Sequence, residues 1–532
     1  MSGKKSIPQR IGFRVFLVSF LFAILAATAV AAKEPASLPP DLDAALAKVL
    51  KAFEVPGVGL AVVKDGKVLV AKGYGVRKLG EPAAVDAQTL FAIASNTKVF
   101  TATALGLLVE EGKLEWDGPV IRYLPWFQLG DPYLTRELTV RDLLVHRSGL
   151  GLGAGDLLLW PPSTYGRTEI VKRLRFVPLA TSFRSAYAYD NVLYIAAGEV
   201  IQAVSGRTWE DFLTERILKK VGMAGSTVRF ADFSGAPNAA AAHAPIDGVV
   251  REVKPFESDN MNPAGGIASS AADMAKWALI LLNEGRLGDG SRLFSERTAR
   301  ELMTIVTPMP IGAPPAELAA LRRNFNGYAL GLGVHDYRGR KIVTHTGGLS
   351  GYVSKVTLVP ELGLGVVVLT NQESTEAFMA VTYHILDYYL AAPRTDWVAA
   401  YLAVRGRQRA QTAAVVDKAA ASRDAASRPS LPLARYAGLY RDAWYGDIAI
   451  EEEGGKLVVR FAHTPGLVGD CEHWQYDTFV VRWRDRELRA DAFLTFALNP
   501  DGTIDRAKMA PVSPDTDFSY DFQDLVLKPV RK

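Results

Sequence analysis

The sequence predicts an α+β protein, an antiparallel sheet flanked by helices with a helical lobe, followed by a small all-β domain. Three observations predict it. Strand patterns lie at both ends of the first 390 or so residues with helical periodicity between them, an order that suits an antiparallel sheet and not a doubly wound parallel one. Composition then shifts between Arg394 and Pro432. Beyond that, aromatic and β-branched residues alternate with period two, as in Lys456-Leu457-Val458-Val459-Arg460-Phe461.

Asp41 to Phe53 has the apolar spacing of a helix, stopped by Pro56 and Gly57. Val58 to Val63 and Val68 to Ala71 read as two strands joined at Asp65-Gly66. Apolar residues recur at helical intervals from Lys98 to Glu111, with Gly112 as the stop. Further helical patterns fall at Val140–Leu144, Val192–Val204, Trp209–Val221 and Ala271–Asn283. Tyr328–Val334, Lys341–His345, Tyr352–Val359 and Leu364–Leu369 read as a block of strands, closed by a helix over Ala377–Leu390. The expected domains are thus residues 33–395, a helix and linker at 396–431, and an all-β domain at 432–532.

Charge is balanced, with 61 Lys and Arg against 57 Asp and Glu, which gives no reason to expect nucleic acid as a partner. Residues 1–32 read as a signal peptide: Lys4, Lys5, Arg10 and Arg14 form a basic start, Val15–Ala27 is apolar, and Ala29-Val30-Ala31 supplies a small-residue cleavage site. Export to the periplasm is the expectation, with membrane association only if the leader stays uncleaved. Cys471 is the only cysteine, so no internal disulfide forms. The seven histidines show no metal-ligand spacing, and neither metal nor cofactor is expected.

Ser95-Asn96-Thr97-Lys98 carries the chemistry. A three-residue helical spacing puts serine and lysine on one face, where a lysine deprotonated by burial activates the hydroxyl. Alone the tetrad is weak, since Ser2 and Lys5 make another. Two further motifs follow in order: Tyr189-Asp190-Asn191 and His345-Thr346-Gly347. With flanks such as Leu143-Leu144-Val145-His146-Arg147-Ser148-Gly149, Pro263-Ala264-Gly265-Gly266 and Gly347-Gly348-Leu349-Ser350-Gly351-Tyr352, residues 41–392 resemble the serine β-lactamase and penicillin-binding-protein superfamily, that is, class C β-lactamases, D,D-peptidases and their esterase relatives. Tyr436-Ala437-Gly438-Leu439-Tyr440 and Tyr445-Gly446 resemble the lipocalin-like domain appended to some of these hydrolases.

The resemblance implies a β-lactamase-like fold and assigns roles. Ser95 would be acylated, Lys98 would accept its proton, and Tyr189, as phenol or phenolate, would pass it to the leaving group and help activate the deacylating water. Asn191 would hold Lys98 and bind a substrate amide, and the backbone N–H groups of Ser95 and Gly348 would form the oxyanion hole. His345, Thr346 and Gly347 would line the substrate strand. β-Lactamases and transpeptidases usually place lysine at the position of His345 to bind a substrate carboxylate, so a mostly neutral histidine tilts the reading toward a peptidase of D-residue peptides or an esterase. His146 reads as a loop contact, and Trp444, Trp474, Phe479 and Trp483 as the core of a small barrel, with the lining of a ligand site or active-site mouth as the alternative. The expected activity is hydrolysis of a small amide, ester or lactam; a sensor that is acylated without turnover is the alternative. The natural substrate, small molecule or peptide, and the oligomeric state are open. The loops after Leu150 and between Thr307 and Asn326 decide pocket shape.

Overall fold

The computed structural model describes Gly3 and residues 37–530, so the leader read at residues 1–32 lies, Gly3 apart, outside the described residues. Helix α1 (Leu42–Phe53) buries Leu42, Leu46, Val49 and Phe53, the stripe that helical periodicity places on one face. Strands β1 (Gly57–Lys64) and β2 (Lys67–Gly75) form the expected hairpin. Its two turn residues, Asp65 (φ 50°) and Gly66 (φ 77°), both take the left-handed conformation that matches strand twist in a two-residue loop. Every residue of β1 is buried because it has a strand on each side and helices above and below.

Helix α2 (Lys98–Glu110) is apolar all round and buried from Lys98 to Leu108, which makes it the axis of the helical lobe. Helix α3 (Val192–Ser205) packs on it and ends at Gly206, whose φ of 71° closes the last turn. Helix α4 (Ala271–Leu282) starts at Ser270, whose side chain accepts the Asp273 N–H, and lies on β1. Strands β3 (Thr307–Pro308), β4 (Asn326–Tyr328), β5 (Gly333–Tyr337), β6 (Arg340–Leu349), β7 (Tyr352–Val359) and β8 (Leu364–Thr370) complete an antiparallel sheet of order β2-β1-β8-β7-β6-β5-β4-β3. Helix α5 (Thr375–Tyr389) joins α1 on one face of this sheet, and α4 with the helical lobe covers the other. The mixed α/β, β-lactamase-like architecture is the expected one.

Helix α6 (Trp397–Ala421) leads to the second domain. Strands β9 (Gly438–Asp442), β10 (Gly446–Glu453), β11 (Lys456–Phe461), β12 (Val468–Gln475), β13 (Thr478–Trp483), β14 (Ala492–Leu498), β15 (Ile504–Pro511) and β16 (Lys528–Pro529) form an antiparallel sheet of order β15-β14-β13-β12-β11-β10-β9-β16. A bridge between Ala507 and Leu527 brings its two ends together, so the sheet is a nearly closed barrel. Trp444, Phe479 and Trp483 lie in its core, with Tyr436 and Phe496 meeting Phe479 edge to face. Trp474 instead packs against Phe493 and Arg423.

Two local expectations need correction. Val140–Leu144 is not a helix: only Asp142–Leu144 turns, as a single 3₁₀ turn, because the buried Asp142 carboxylate is held by Thr139, Arg147 and Arg184 and anchors a loop. Tyr328–Val334 is not one strand but the end of β4 and the start of β5. Ala329–Leu332 forms a tight turn in which Gly331 has φ 77°, and a Cβ there would lie 2.9 Å from the Lys98 carbonyl group. The apolar run hid this turn, since its side chains stay buried while the backbone folds back against the start of α2.

Gly331→Ala is therefore expected to cost about 2 kcal/mol or more of unfolding free energy, combining left-handed strain with the clash. Gly339→Ala, with the same φ class at 78° and open space around its Cβ, is expected to cost about 1 kcal/mol. Urea unfolding of both variants checks this: equal losses would mean that the approach to Lys98 carries no penalty of its own.

Candidate active site

Ser95 sits in a 3₁₀ turn, Ala94–Thr97, directly before α2, and Ala94 takes φ 48° to make the corner. The turn is wedged against β6: a Cβ on Gly347 would lie 2.1 Å from the Ile93 carbonyl oxygen, so only glycine lets strand and turn approach this closely. Asn96 and Ser354 fix the same contact, with Asn96 Nδ2 donating to Ser354 Oγ at 2.8 Å and that hydroxyl donating to the Ile93 carbonyl at 2.7 Å. The strand carrying the third motif and the turn carrying Ser95 are thereby locked together.

Lys98 has no exposed surface. Its Nζ lies 3.1 Å from Ser95 Oγ, 2.7 Å from Asn191 Oδ1 and 3.0 Å from the Ala264 carbonyl oxygen. Burial lowers its pKa from 10.5 to about 7, against the opposing pull of Asp156 and Asp190. As a neutral amine it donates to Asn191 and Ala264 and keeps its lone pair for the Ser95 hydroxyl. That is the arrangement a general base needs.

Tyr189 lies beside this pair, with Lys98 Nζ 4.8 Å from its ring centroid. Burial raises its pKa well above 10, a hydrogen bond to Ser95 works in the other direction, and Tyr187, Asp156 and Asp190 add to the rise. Of the two forms expected, the phenol is the one the surroundings favour. His146, at φ 55°, lies with its ring centroid 4.2 Å from that of Tyr189, the planes tilted by 34°, and accepts the Asp190 N–H at 3.2 Å, so it fixes the ring rather than facing substrate. Burial keeps His146 neutral.

His345 is 7% exposed, and both ring nitrogens are engaged within the protein. Nδ1 donates to the Thr346 carbonyl at 2.6 Å, which leaves Nε2 to accept the Tyr328 hydroxyl at 2.8 Å. Burial, reinforced by Lys98, drives its pKa to about 3 and holds the ring neutral. Thr346 and Gly348 are exposed, and with Ser95, Tyr189, Asn191 and His345 they line one cleft of about 460 Å³; Gly347 is buried beneath it.

Several residues at the site escaped the sequence reading. Asp156 is fully buried in the loop after Leu150, and its Oδ2 accepts Asn191 Nδ2 at 2.8 Å and Ser519 Oγ at 2.9 Å. Burial raises Asp156 to about 7, opposed by those two bonds and by Lys98. Ser519 belongs to the second domain. Its neighbour Asp521 accepts the Gly155 N–H at 2.6 Å and the Leu157 N–H at 3.1 Å, while Phe518 meets Tyr189 edge to face at 6.0 Å. The segment 517–521 thus crosses from the barrel to the catalytic cleft. Its interruption of the strand pattern by Asp-Phe-Ser-Tyr-Asp was the one signal available.

A family described as Beta-lactamase matches residues 42–390, and a Domain of unknown function (DUF3471) matches residues 422–529. The unguisins hydrolase of Aspergillus violaceofuscus is 30% identical over 496 residues, covering 87% of this chain and 86% of its own. The octameric penicillin-binding protein homologue of Pyrococcus abyssi superposes with a TM-score of 0.58 at 21% identity, covering 92% of this chain and 99% of its own. The D-amino acid amidase of Ochrobactrum anthropi superposes with a TM-score of 0.54 at 23% identity, over 66% and 98% of the two chains. With two thirds of its length matched to that family, its serine and tyrosine lining one cleft and its lysine buried within hydrogen-bond reach of the serine, the chain belongs to the beta-lactamase family of serine hydrolases.

Proposed function

We propose that the chain hydrolyses a small amide, ester or lactam, with D-residue peptides the favoured class, through an acyl-enzyme on Ser95. The observation that carries this reading is the buried Lys98 amine 3.1 Å from the Ser95 hydroxyl with its pKa brought to about 7. Ser95 Oγ attacks the carbonyl carbon as its proton moves to Lys98 Nζ. The tetrahedral oxyanion takes hydrogen bonds from the backbone N–H groups of Ser95 and Gly348, which act where negative charge develops. As the bond to the leaving nitrogen or oxygen breaks, the Tyr189 phenol donates its proton to the departing atom and is reprotonated from Lys98. Water then attacks the acyl carbon, gives its proton to the same pair and returns Ser95 to its starting form. A neutral His345 favours a peptidase of D-residue peptides or an esterase over a dedicated β-lactamase.

Incubation of residues 33–532 with a fluorogenic ester and a chromogenic cephalosporin tests it. Steady hydrolysis is expected, with loss of at least about 10³-fold in kcat for Ser95→Ala. A Ser95-dependent burst without steady turnover would make the protein an acylated sensor instead, and activity unchanged by Ser95→Ala would exclude the acyl-enzyme.

The pH profile reports the base. Deprotonated Lys98 is the active form, so kcat/KM is expected to rise tenfold per unit with increasing pH and to level off above about 7. A rise that continued to pH 10 would mean that Lys98 keeps an ordinary amine pKa.

Ser519→Ala removes the barrel's bond to Asp156 and is expected to lower kcat about tenfold, the cost of roughly one hydrogen bond, while leaving the Tm within a few degrees. Unchanged kinetics would show that Asn191 and Lys98 hold their places without the second domain.

A further inference from the structure

The catalytic cleft opens into a second chamber of about 700 Å³ between the two domains. Trp160, Gly348 and Asp517 line both spaces, so the two are continuous at Gly348, whose N–H is assigned to the oxyanion. Trp160, Phe256, Leu349 and Val353 give the chamber an apolar wall on the first domain, and Gly466 and Leu488 line it from the barrel loops before β12 and β14. The Trp160 and Phe256 rings stack with their centroids 5.2 Å apart.

Two salt bridges cross the domain seam beside this space, Lys254 with Asp485 at 2.8 Å and Arg489 with Glu373 at 2.7 Å. Both cations of the lining are thereby committed. Its other charged residues, Glu257, Glu487 and Asp517, are all acids, and among the described residues none of them forms an ion pair. Glu487 accepts the Lys254 N–H at 2.9 Å and Asp517 the Ser519 N–H at 2.9 Å. The reaction fixes which part of a substrate enters. Tyr189 protonates the leaving atom, so the leaving group occupies the end of the cleft at Tyr189, His345 and Thr346. From there β6 runs through Gly348 to Leu349, which places the chamber on the opposite, acyl side of the scissile carbonyl. A space of this size takes a drug-sized group, and a single small residue would leave most of its apolar wall uncovered.

We infer that the interdomain chamber is a subsite for the acyl side of an extended peptide, holding several uncharged, largely apolar residues upstream of the one that acylates Ser95. The inference rests on the acyl-enzyme reading and narrows its substrate from derivatives of a single D-residue to oligopeptides. The barrel supplies part of the wall, so the second domain reads chain length. Apolar contact made there is remote from the reacting bond and serves to raise kcat/KM. The three unpaired acids disfavour a carboxylate at the upstream end.

Benzyl thioesters of N-acetyl-D-Ala and N-acetyl-D-Phe-D-Leu-D-Ala share one leaving group and test the chamber by thiol release from residues 33–532. The longer substrate is expected to exceed the shorter by about tenfold or more in kcat/KM. Gly466→Trp places an indole where a Cβ meets nothing within 4 Å, and it is expected to cut that ratio severalfold, as is Leu488→Glu. Gly466 is exposed, so its variant carries the test if Leu488→Glu does not fold. A succinyl cap in place of acetyl on the longer substrate is expected to lower kcat/KM severalfold. A wild-type ratio near one, a ratio that neither variant changes, or a succinyl peptide as good as the acetyl one overturns the subsite. If neither thioester shows Ser95-dependent turnover, the acyl-enzyme reading fails separately. Calorimetric titration of the Ser95→Ala protein with the amides of the two acyl groups then decides: tighter binding of the tripeptide that Gly466→Trp abolishes supports the chamber, and equal binding overturns it.

Discussion

Burial of the Lys98 amine is the constraint on which the rest of the site depends. Lowering its pKa from 10.5 to about 7 disfavours the charged form by roughly 5 kcal/mol, a penalty comparable to the whole stability of many domains. The fold accepts it because each Nζ partner is supplied by a different structural unit: Ser95 from the 3₁₀ turn, Asn191 from the start of α3 and Ala264 from the segment before α4. The three motifs are far apart in sequence because the base has to be enclosed from several sides. Gly331 and Gly347 belong to the same constraint, since one lets a turn press on the Lys98 backbone and the other lets β6 press on the turn that carries Ser95.

That enclosure extends into the second domain. Asn191 is held by Asp156, Asp156 by Ser519, and the loop around Asp156 by Asp521 through two backbone N–H groups. Asp156 and Asp521 are both fully buried, and burial pushes each toward its protonated form, with Asp156 adding to the rise at Asp521 and Asp517 to the rise at Asp156. Such a pair is stable only where hydrogen bonds satisfy it, so the two domains are joined through polar groups as well as through the shared apolar core at Tyr165, Tyr445 and Phe522. The barrel is thus part of the wall of the cleft, where Phe518 abuts Tyr189.

Much of this was legible in the sequence, for physical reasons that also explain what was not. Helix α2 and the β1–β2 hairpin follow from local periodicity and from Asp65-Gly66, and the motif residues Ser95, Tyr189 and Asn191 meet around the buried Lys98 amine, where residue types able to carry one reaction had marked them in the sequence. The turn at Ala329–Leu332 was hidden because its side chains are as apolar as those of a strand, and only the Lys98 backbone demands the bend. Asp156, Ser519 and Asp521 were invisible for a different reason. Each is an ordinary surface-type residue in isolation, and its role comes from a domain contact more than 350 residues away in the chain.

The histidine at position 345 makes sense against this background. A lysine there would place a second ammonium close to Lys98, in a volume that already buries the Lys355 amine. Like charges in low dielectric repel strongly, and the added cation would push Lys98 further below 7, weakening it as a base. A neutral imidazole avoids this and still organises the edge of β6 through its bonds to Thr346 and Tyr328. Lys355, on the next strand opposite Thr346, is itself pushed down to about 7 by burial, with Arg323 adding to the fall. Both buried amines flanking β6 are held near the neutral form by the same cause, and a lysine at position 345 would add a third desolvation cost of that kind.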